Sequence, residues 1–155
     1  MGASANTPEY GQELRRLAKG LPITFLGEQY GDALASLVSQ ARLVVHPSVS
    51  EGMSLLLLEA MAAGTPVLAS DIPENREVLG RSATTFTADD PNDLSSKLLW
   101  CLVHPAVMAQ RAKRAKDIVL AYSWQRVSND LERVYSHVLW ITCANNAELQ
   151  QKWAR

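Results

Sequence analysis

The sequence has few of the residues that build disulfide scaffolds and metal sites. Its 155 residues include two cysteines and three histidines. Cys101 and Cys143 lie far apart without a C-x-x-C pair, and the histidines are scattered. This pattern predicts reduced thiols in a cytoplasmic protein and no zinc or other metal site.

Charge and hydropathy exclude further classes of protein. A formal net charge of −1 with mixed signs provides no basic field for nucleic acid. No apolar stretch approaches the roughly 18 residues of a membrane span, and the start, MGASANTPEY, lacks the apolar segment of a signal peptide. The dinucleotide fingerprint G-x-G-x-x-G is also absent, so a nicotinamide-binding version of an α/β fold is not expected. One soluble domain is expected, since 47% hydrophobic residues suffice for its core.

Hydrophobic periodicity predicts strands that alternate with helices. The expected strands are 23–26, 42–46, 66–69 and 83–86; the expected helices are 9–19, one from Asp32, 52–63, 74–79, 92–103, 105–121 and one from Trp124. Short buried strands separated by helices indicate a parallel sheet in a doubly wound α/β domain. In such domains ligands bind beyond the carboxyl ends of the strands.

The most informative segment is 46–80, HPSVSEGMSLLLLEAMAAGTPVLASDIPENREVLG. A strand runs into a polar turn, and the turn feeds Gly52 and an apolar helix. Helix N-termini offer unpaired amides and partial positive charge, so we expect Met53 and Ser54 to present amides to an anion, which Gly52 allows to approach closely. Glu51, which can only accept hydrogen bonds when ionised, suits neighbouring sugar hydroxyls.

A second glutamate, Glu59, follows Glu51 after seven intervening residues. If most of that interval is helical, the two lie up to about 12 Å apart along the axis and roughly 80° apart around it. This separation is comparable to a sugar diphosphate, so one carboxylate would hold a sugar and the other a ribose. The alternative is structural: a glutamate at a helix start complements the dipole, and one in a helix body faces solvent.

Residues 47–80 resemble the signature of the retaining glycosyltransferases of family 4, roughly P-S-x-x-E-G-F/M-x-x-x-x-x-E-A-M-A-x-G-x-P-V-x-A-S. The resemblance covers about residues 10–140. It implies the C-terminal half of a GT-B fold, a Rossmann-like three-layer α/β/α domain with a parallel sheet. The implied boundaries are 1–140 for this nucleotide-sugar-binding domain and 141–155 for a C-terminal tail.

The resemblance also implies roles for individual residues. Glu51 would be the catalytic-site carboxylate that grips the donor sugar, and Glu59 would hold the ribose. Main-chain contacts to sugar and diphosphate would come from Gly52, Met53 and Ser54, with Leu55 continuing the helix N-terminus. Gly27 and Glu28, in the segment Phe25–Glu28, resemble the turn beside the nucleobase pocket. The donor would be a nucleotide diphosphate sugar, with no cofactor or metal.

Other polar and aromatic residues leave alternatives open. Asn75 and Glu77 would line the donor pocket, although Glu74 and Glu77 would equally suit the first turn of a helix. Arg111, Lys113, Arg114 and Lys116 form a basic run that reads more simply as a solvated face than as a phosphate site. Trp124 and Tyr135 are expected in the core or in packing between domains.

The chain departs from the family pattern at its start. The family's first strand and its Arg/Lys pair, which neutralises the donor diphosphate, are not found in MGASANTPEYGQELRRLAKG; Arg15, Arg16 and Lys19 do not match. The acceptor-binding domain is not found either, so the 155 residues alone are expected to be inactive. The alternative is a non-catalytic nucleotide-sugar-binding or partner subunit that uses an exposed sheet edge. A GT-B-shaped epimerase is disfavoured by the paired glutamates.

Overall fold

The computed structural model describes residues 8–144 and the side chains of residues 9–140. The helices are α1 Pro8–Leu17, α2 Gly31–Gln40, α3 Leu55–Ala63, α4 Pro73–Leu79, α5 Pro91–Val103, α6 Pro105–Val119 and α7 Trp124–Ala144, with a 3-10 turn at Leu120–Tyr122; the strands are β1 Val44–His46, β2 Val67–Ser70 and β3 Thr84–Phe86. The seven residues before α1, most of the predicted tail 141–155 and the Cys143 side chain lie outside this description.

The three strands form a parallel sheet in the order β1-β2-β3. Val44 pairs with Val67, and Leu68 pairs with Thr84. All four residues of β2 are buried, as expected for a central strand covered on both faces.

Alternate residues of β2 point to opposite faces of the sheet, which divides the core in two. Val67 and Ala69 pack in one cluster with residues of α2, α3, α4 and α6. Leu68 packs in the other with residues of β3, α5 and α6. Helices therefore cover both faces of the parallel sheet, and the predicted three-layer α/β/α architecture is confirmed.

Local sequence explains where several helices begin and end. Pro91 opens α5, and the Asp90 carboxylate caps it by accepting from the amides of Asn92 and Asp93 at 2.9 and 3.1 Å. Gly64 ends α3 in the left-handed conformation, with φ 74°, where its N–H bonds back to the last turn. Within α3, Leu57 and Met61 are fully buried, and each such side chain contributes about 1.5–3 kcal/mol of hydrophobic stabilisation.

The prediction of a strand at 23–26 is wrong. The segment has no regular structure, and Ile23, Phe25 and Leu26 are each at least 40% exposed. A strand exists through hydrogen bonds to a neighbouring strand, and the backbone hydrogen bond made by Ile23 is a local one to Leu21. Apolar periodicity reports what a segment is able to bury, whereas pairing depends on a neighbour.

The helix predicted at 52–63 begins three residues later, at Leu55. Ser54 has an extended backbone, with φ −76° and ψ 109°, and occupies the position before the first helical turn. The glycine and serine that precede Leu55 are weak helix formers, so the apolar run alone forms the helix.

Two parts of the chain contribute little to the core. Trp124 and Tyr135 of α7 are 80% and 64% exposed, so they do not pack in the core, and the alternative of packing between domains stays a prediction. Tyr10 and Leu17 of α1 are also exposed. None of the helices in the described part of the chain combines the length and the apolar character needed to cross a membrane.

Candidate functional site

The carboxyl ends of β1, β2 and β3 lie along one rim of the sheet because the strands are parallel. The turn that holds Glu51 follows β1, and the loop of Asp71 follows β2. Two bonds join that loop to the chain after β3: the Asp71 N–H donates to Phe86 O at 2.9 Å, and Asp71 Oδ1 accepts from the N–H of Ala88 at 3.0 Å. This rim is where a doubly wound domain binds its ligands.

At this rim Glu51 is held by the last residue of β1. His46 Nε2 lies 3.0 Å from Glu51 Oε1. The imidazole side chain is 13% exposed and the carboxylate 28% exposed. The carboxylate therefore has a partly buried partner and also access to solvent.

The turn before Glu51 is tied to the end of β2 by hydrogen bonds. Asn75, buried in α4, donates from Nδ2 to Ser70 O at 3.1 Å and to Ser70 Oγ at 3.0 Å. The Ser70 hydroxyl donates to Ser48 O, and the Ser48 hydroxyl donates to Ser50 O at 3.0 Å. Glu51 thus follows an anchored turn.

This arrangement corrects the prediction that Asn75 lines the pocket. Asn75 is 1% exposed, and its side chain stabilises the end of β2 through the hydrogen bonds to Ser70. Glu77 is exposed on α4, and Glu74 lies in the first turn of that helix, as the dipole argument expects. Glu74 therefore has the first-turn placement that the sequence left as the alternative, whereas Glu77 lies beyond that turn.

The amide end of α3 follows Glu51 after Gly52, Met53 and Ser54. Ser54 is buried, yet its side chain makes no capping hydrogen bond to the helix. The unpaired helical amides are those of Leu55, Leu56 and Leu57, so the positive end of the helix lies further along the chain than predicted from Met53 and Ser54. Gly52 has open space where a Cβ would stand, and Met53 and Leu55 are exposed.

Glu59 lies in α3 with an exposed side chain. Only the part of the interval from Leu55 onward is helical, so the predicted helical separation of about 12 Å and 80° from Glu51 does not apply. No side-chain hydrogen bond or ion pair joins Glu59 to the rest of the described chain. Its carboxylate is accordingly available to a ligand or to solvent.

Gly27 and Glu28 form an exposed turn before α2. Gly27 has φ 69°, a conformation that favours glycine. The Tyr30 hydroxyl donates to Glu28 Oε2 at 2.7 Å, and this hydrogen bond raises the pKa of the Tyr30 phenol. No side-chain bond within residues 9–140 connects this turn to the Glu51 turn.

Asp71 reinforces the rim electrostatically. The amide of Ala88 and the guanidinium of Arg76, 2.8 Å from Oδ2, hold the pKa of the Asp71 carboxyl below its usual range. Its ionised form joins the chain after β2 to the chain after β3.

The predicted basic run does not act as one unit. Arg111 is half-buried and donates to Ala83 O at 3.0 Å and to Thr84 Oγ1 at 2.6 Å, so it joins α6 to β3. Its guanidinium also lies over the Trp100 ring, 5.5 Å from the centroid. Lys113, Arg114 and Lys116 are exposed. The solvated-face interpretation holds for these three and fails for Arg111.

His46, Ser48 and Ser70 were not singled out from the sequence. Each carries a polar side chain at or just beyond the carboxyl end of a predicted buried strand. That placement is a usable signal because such ends converge in a parallel sheet. In the described residues no group of three or more His, Cys, Asp and Glu side chains is arranged to hold a metal ion.

Comparison with known proteins identifies the family of this chain. The sequence profile described as "Glycosyl transferases group 1" matches residues 1–104. The chain belongs to this family. It is 30% identical to the sulfoquinovosyl transferase SQD2 of Arabidopsis thaliana over 139 residues, which cover 84% of the chain and 27% of that protein. The chain spans about a third of the length of the curated relatives that it matches.

Solved structures show the same fold. The sucrose-phosphate synthase of Thermosynechococcus elongatus superposes with a TM-score of 0.77 at 25% identity, covering 86% of the chain and 35% of that protein. The Anabaena protein HepE, solved with UDP-glucose, has a TM-score of 0.73 at 20% identity over 86% and 38%. The C-terminal domain of a group 1 glycosyl transferase, LpcC of Francisella tularensis, has a TM-score of 0.64 at 21% identity over 76% and 64%. The fold is the Rossmann-like C-terminal half of a GT-B glycosyltransferase.

Proposed function

We propose that this chain is the donor-binding part of a retaining glycosyltransferase, which transfers a sugar from a nucleotide diphosphate sugar to an acceptor. The observation that carries the proposal is the Glu51 carboxylate, which His46 holds at the ligand-binding rim of the sheet, in the loop that leads into the amide end of α3. The HepE structure with UDP-glucose supports a donor of this class.

In this proposal different residues bind the diphosphate, the sugar and the ribose of the donor. The accessible amides at the start of α3, those of Leu55 and Leu56, bind the diphosphate because they carry the partial positive charge of the helix, whereas Leu57 is fully buried. Glu51 accepts hydrogen bonds from sugar hydroxyls. Glu59, exposed within α3, accepts from the ribose.

The other residues predicted from the sequence keep the roles that the resemblance implies. Gly52 lets the donor approach the backbone, and Met53 and Ser54 contribute main-chain contacts before the helix. Gly27 and Glu28 lie beside the base. No metal is proposed for donor binding, in keeping with the family resemblance.

Transfer needs more positive charge than these amides supply. The leaving diphosphate gains charge in the transition state, and preorganised cations are the usual means of stabilising it. The arginines of α1 are already engaged: Arg16 pairs with Glu13 at 2.6 Å, and Arg15 lies over the Phe25 ring. We therefore expect the 155 residues to bind donor without turnover.

A cytoplasmic location stays a prediction.

Titration with UDP-, GDP- and ADP-glucose tests the proposal, with free glucose as the negative control. The wild-type chain should bind one of the three sugar nucleotides. Glu51→Gln should weaken that binding about tenfold or more, because hydrogen bonds to a charged group contribute about 1.5–3 kcal/mol. Glu77→Gln, an exposed glutamate of α4, is the matched control and should bind as the wild type does. Absence of binding to all three nucleotides contradicts the proposal.

The second candidate is a non-catalytic subunit that needs a separate acceptor domain. Two observations favour it: the outer edge of β1 has no strand beside it in the described part of the chain, and the apolar residues of α7 are exposed. Size-exclusion chromatography with a candidate acceptor domain would separate the two cases. A stable complex that binds donor but transfers no sugar favours the non-catalytic subunit.

A further inference from the structure

We propose that His46 is a positioning residue, which fixes the Glu51 carboxylate so that its free oxygen receives the hydroxyls of the donor sugar. The inference rests on the proposed function and deepens it. It names a residue outside the set predicted from the sequence, and it makes the strand before the turn part of the sugar site.

The geometry determines the direction of the hydrogen bond. An ionised carboxylate only accepts, so the hydrogen between His46 Nε2 and Glu51 Oε1, 3.0 Å apart, belongs to the imidazole. Oε1 is thereby engaged. Among the described residues Glu51 has no other side-chain partner, and Oε2 therefore remains for a ligand.

The imidazole is suited to this task because it is fixed to a rigid element. His46 ends β1 and pairs with Ala69, a fully buried residue of the central strand. Its side chain is 13% exposed, whereas that of Glu51 is 28% exposed. The less exposed histidine thus orients the more exposed glutamate, as supporting residues do in preorganised sites.

The expected benefit is a smaller loss of side-chain freedom on binding. A free glutamate samples many rotamers, and ordering it opposes binding. With His46 in place the carboxylate is already oriented in the empty protein. Removing the imidazole N–H of His46 should weaken sugar-nucleotide binding about three- to tenfold, whereas binding of the nucleotide without its sugar should not change.

His46→Leu and His46→Gln form a matched pair. Leucine fills a similar volume but has no N–H group that could donate a hydrogen bond. Glutamine keeps such an N–H group in a similar place. Calorimetry with UDP-glucose and with UDP, or the corresponding GDP or ADP pair if it binds more tightly, compares the two. We expect His46→Leu to weaken UDP-glucose binding about three- to tenfold and to leave UDP binding within about twofold, and His46→Gln to restore most of the loss.

A double-mutant cycle shows whether His46 acts through Glu51. In a Glu51→Gln background, His46→Leu should weaken UDP-glucose binding less than about twofold further. His104→Leu, an exposed histidine beyond α5, serves as a control and should change neither affinity. Thermal unfolding of each variant shows that the fold is retained.

The outcomes separate this inference from the function beneath it. Equal weakening of UDP and UDP-glucose by His46→Leu, no weakening of either, or full additivity with Glu51→Gln overturns the positioning role alone. A wild-type chain that binds neither a sugar nucleotide nor its nucleotide overturns the proposed function and this inference together.

Discussion

Replacement of Gly64 by alanine should destabilise the chain through its backbone. Gly64 ends α3 with φ 74° and ψ 29°, and its N–H bonds to the carbonyls of Ala60 and Met61. A left-handed conformation costs an L-residue other than glycine about 1–2 kcal/mol. A Cβ at this position would also stand 2.2 Å from Lys116 Cε and 2.9 Å from Lys116 Nζ.

The two contributions differ in size because their partners differ in freedom. Lys116 is exposed, and the far end of its side chain can swing into solvent. The φ of residue 64, in contrast, is set by the two hydrogen bonds that close α3. We therefore expect Gly64→Ala to reduce the free energy of unfolding by about 1–2 kcal/mol, with the clash a minor part. For a chain of this size the melting temperature should fall by about 2–8 °C.

Two further variants distinguish strain from clash. Asparagine carries the same Cβ but tolerates the left-handed region, so Gly64→Asn should cost less than Gly64→Ala. In a Lys116→Ala background the cost of Gly64→Ala should remain within about 0.5 kcal/mol of its original value. Urea unfolding measures all of these. If asparagine costs as much as alanine, and Lys116→Ala removes the loss, the backbone argument is refuted.

Two more predictions concern the rim of the sheet. Asn75→Ala removes two buried hydrogen bonds to Ser70 and should lower the free energy of unfolding by about 2–3 kcal/mol, whereas the exposed control Asn92→Ala should change it by less than about 0.5 kcal/mol; equal effects in urea unfolding would show that the buried bonds do not contribute. The pKa of Asp71 is lowered in the folded chain, so its contribution is complete above the ordinary carboxyl pKa and is lost as pH falls through the folded value. The melting temperature of Asp71→Asn should accordingly fall less steeply than that of the wild type between about pH 5 and pH 2, and parallel curves would contradict this.

The sequence predicted most of the elements that form by local rules. Residues 67–70 form a buried strand as an apolar run between a proline and an acidic loop, and α5 begins at Pro91 after an Asp90 cap. Gly64 ends α3 where the apolar pattern stops. Such features depend on residues within a few positions of one another, which a sequence shows directly.

Prediction failed where an element or a role depended on a distant neighbour. The segment 23–26 has the composition of a strand but no partner strand. Asn75 was assigned to the donor pocket, yet its amide is buried against Ser70, and Arg111 was assigned to a solvated face, yet it bonds across to β3. In each case the partner lies on another element, whose position the pattern of one segment does not contain.

For the candidate site, too, local features were predictable from the sequence and contacts between elements were not. The sequence by itself determined that an acidic residue, Glu51, stands between a strand and an apolar helix, because composition and spacing specify such a junction locally. Only the tertiary structure decided that the helix begins at Leu55 and that His46 turns toward Glu51 from the end of β1. Side-chain direction and loop path follow from how β1, β2 and α4 pack together, and that packing is a property of the whole chain.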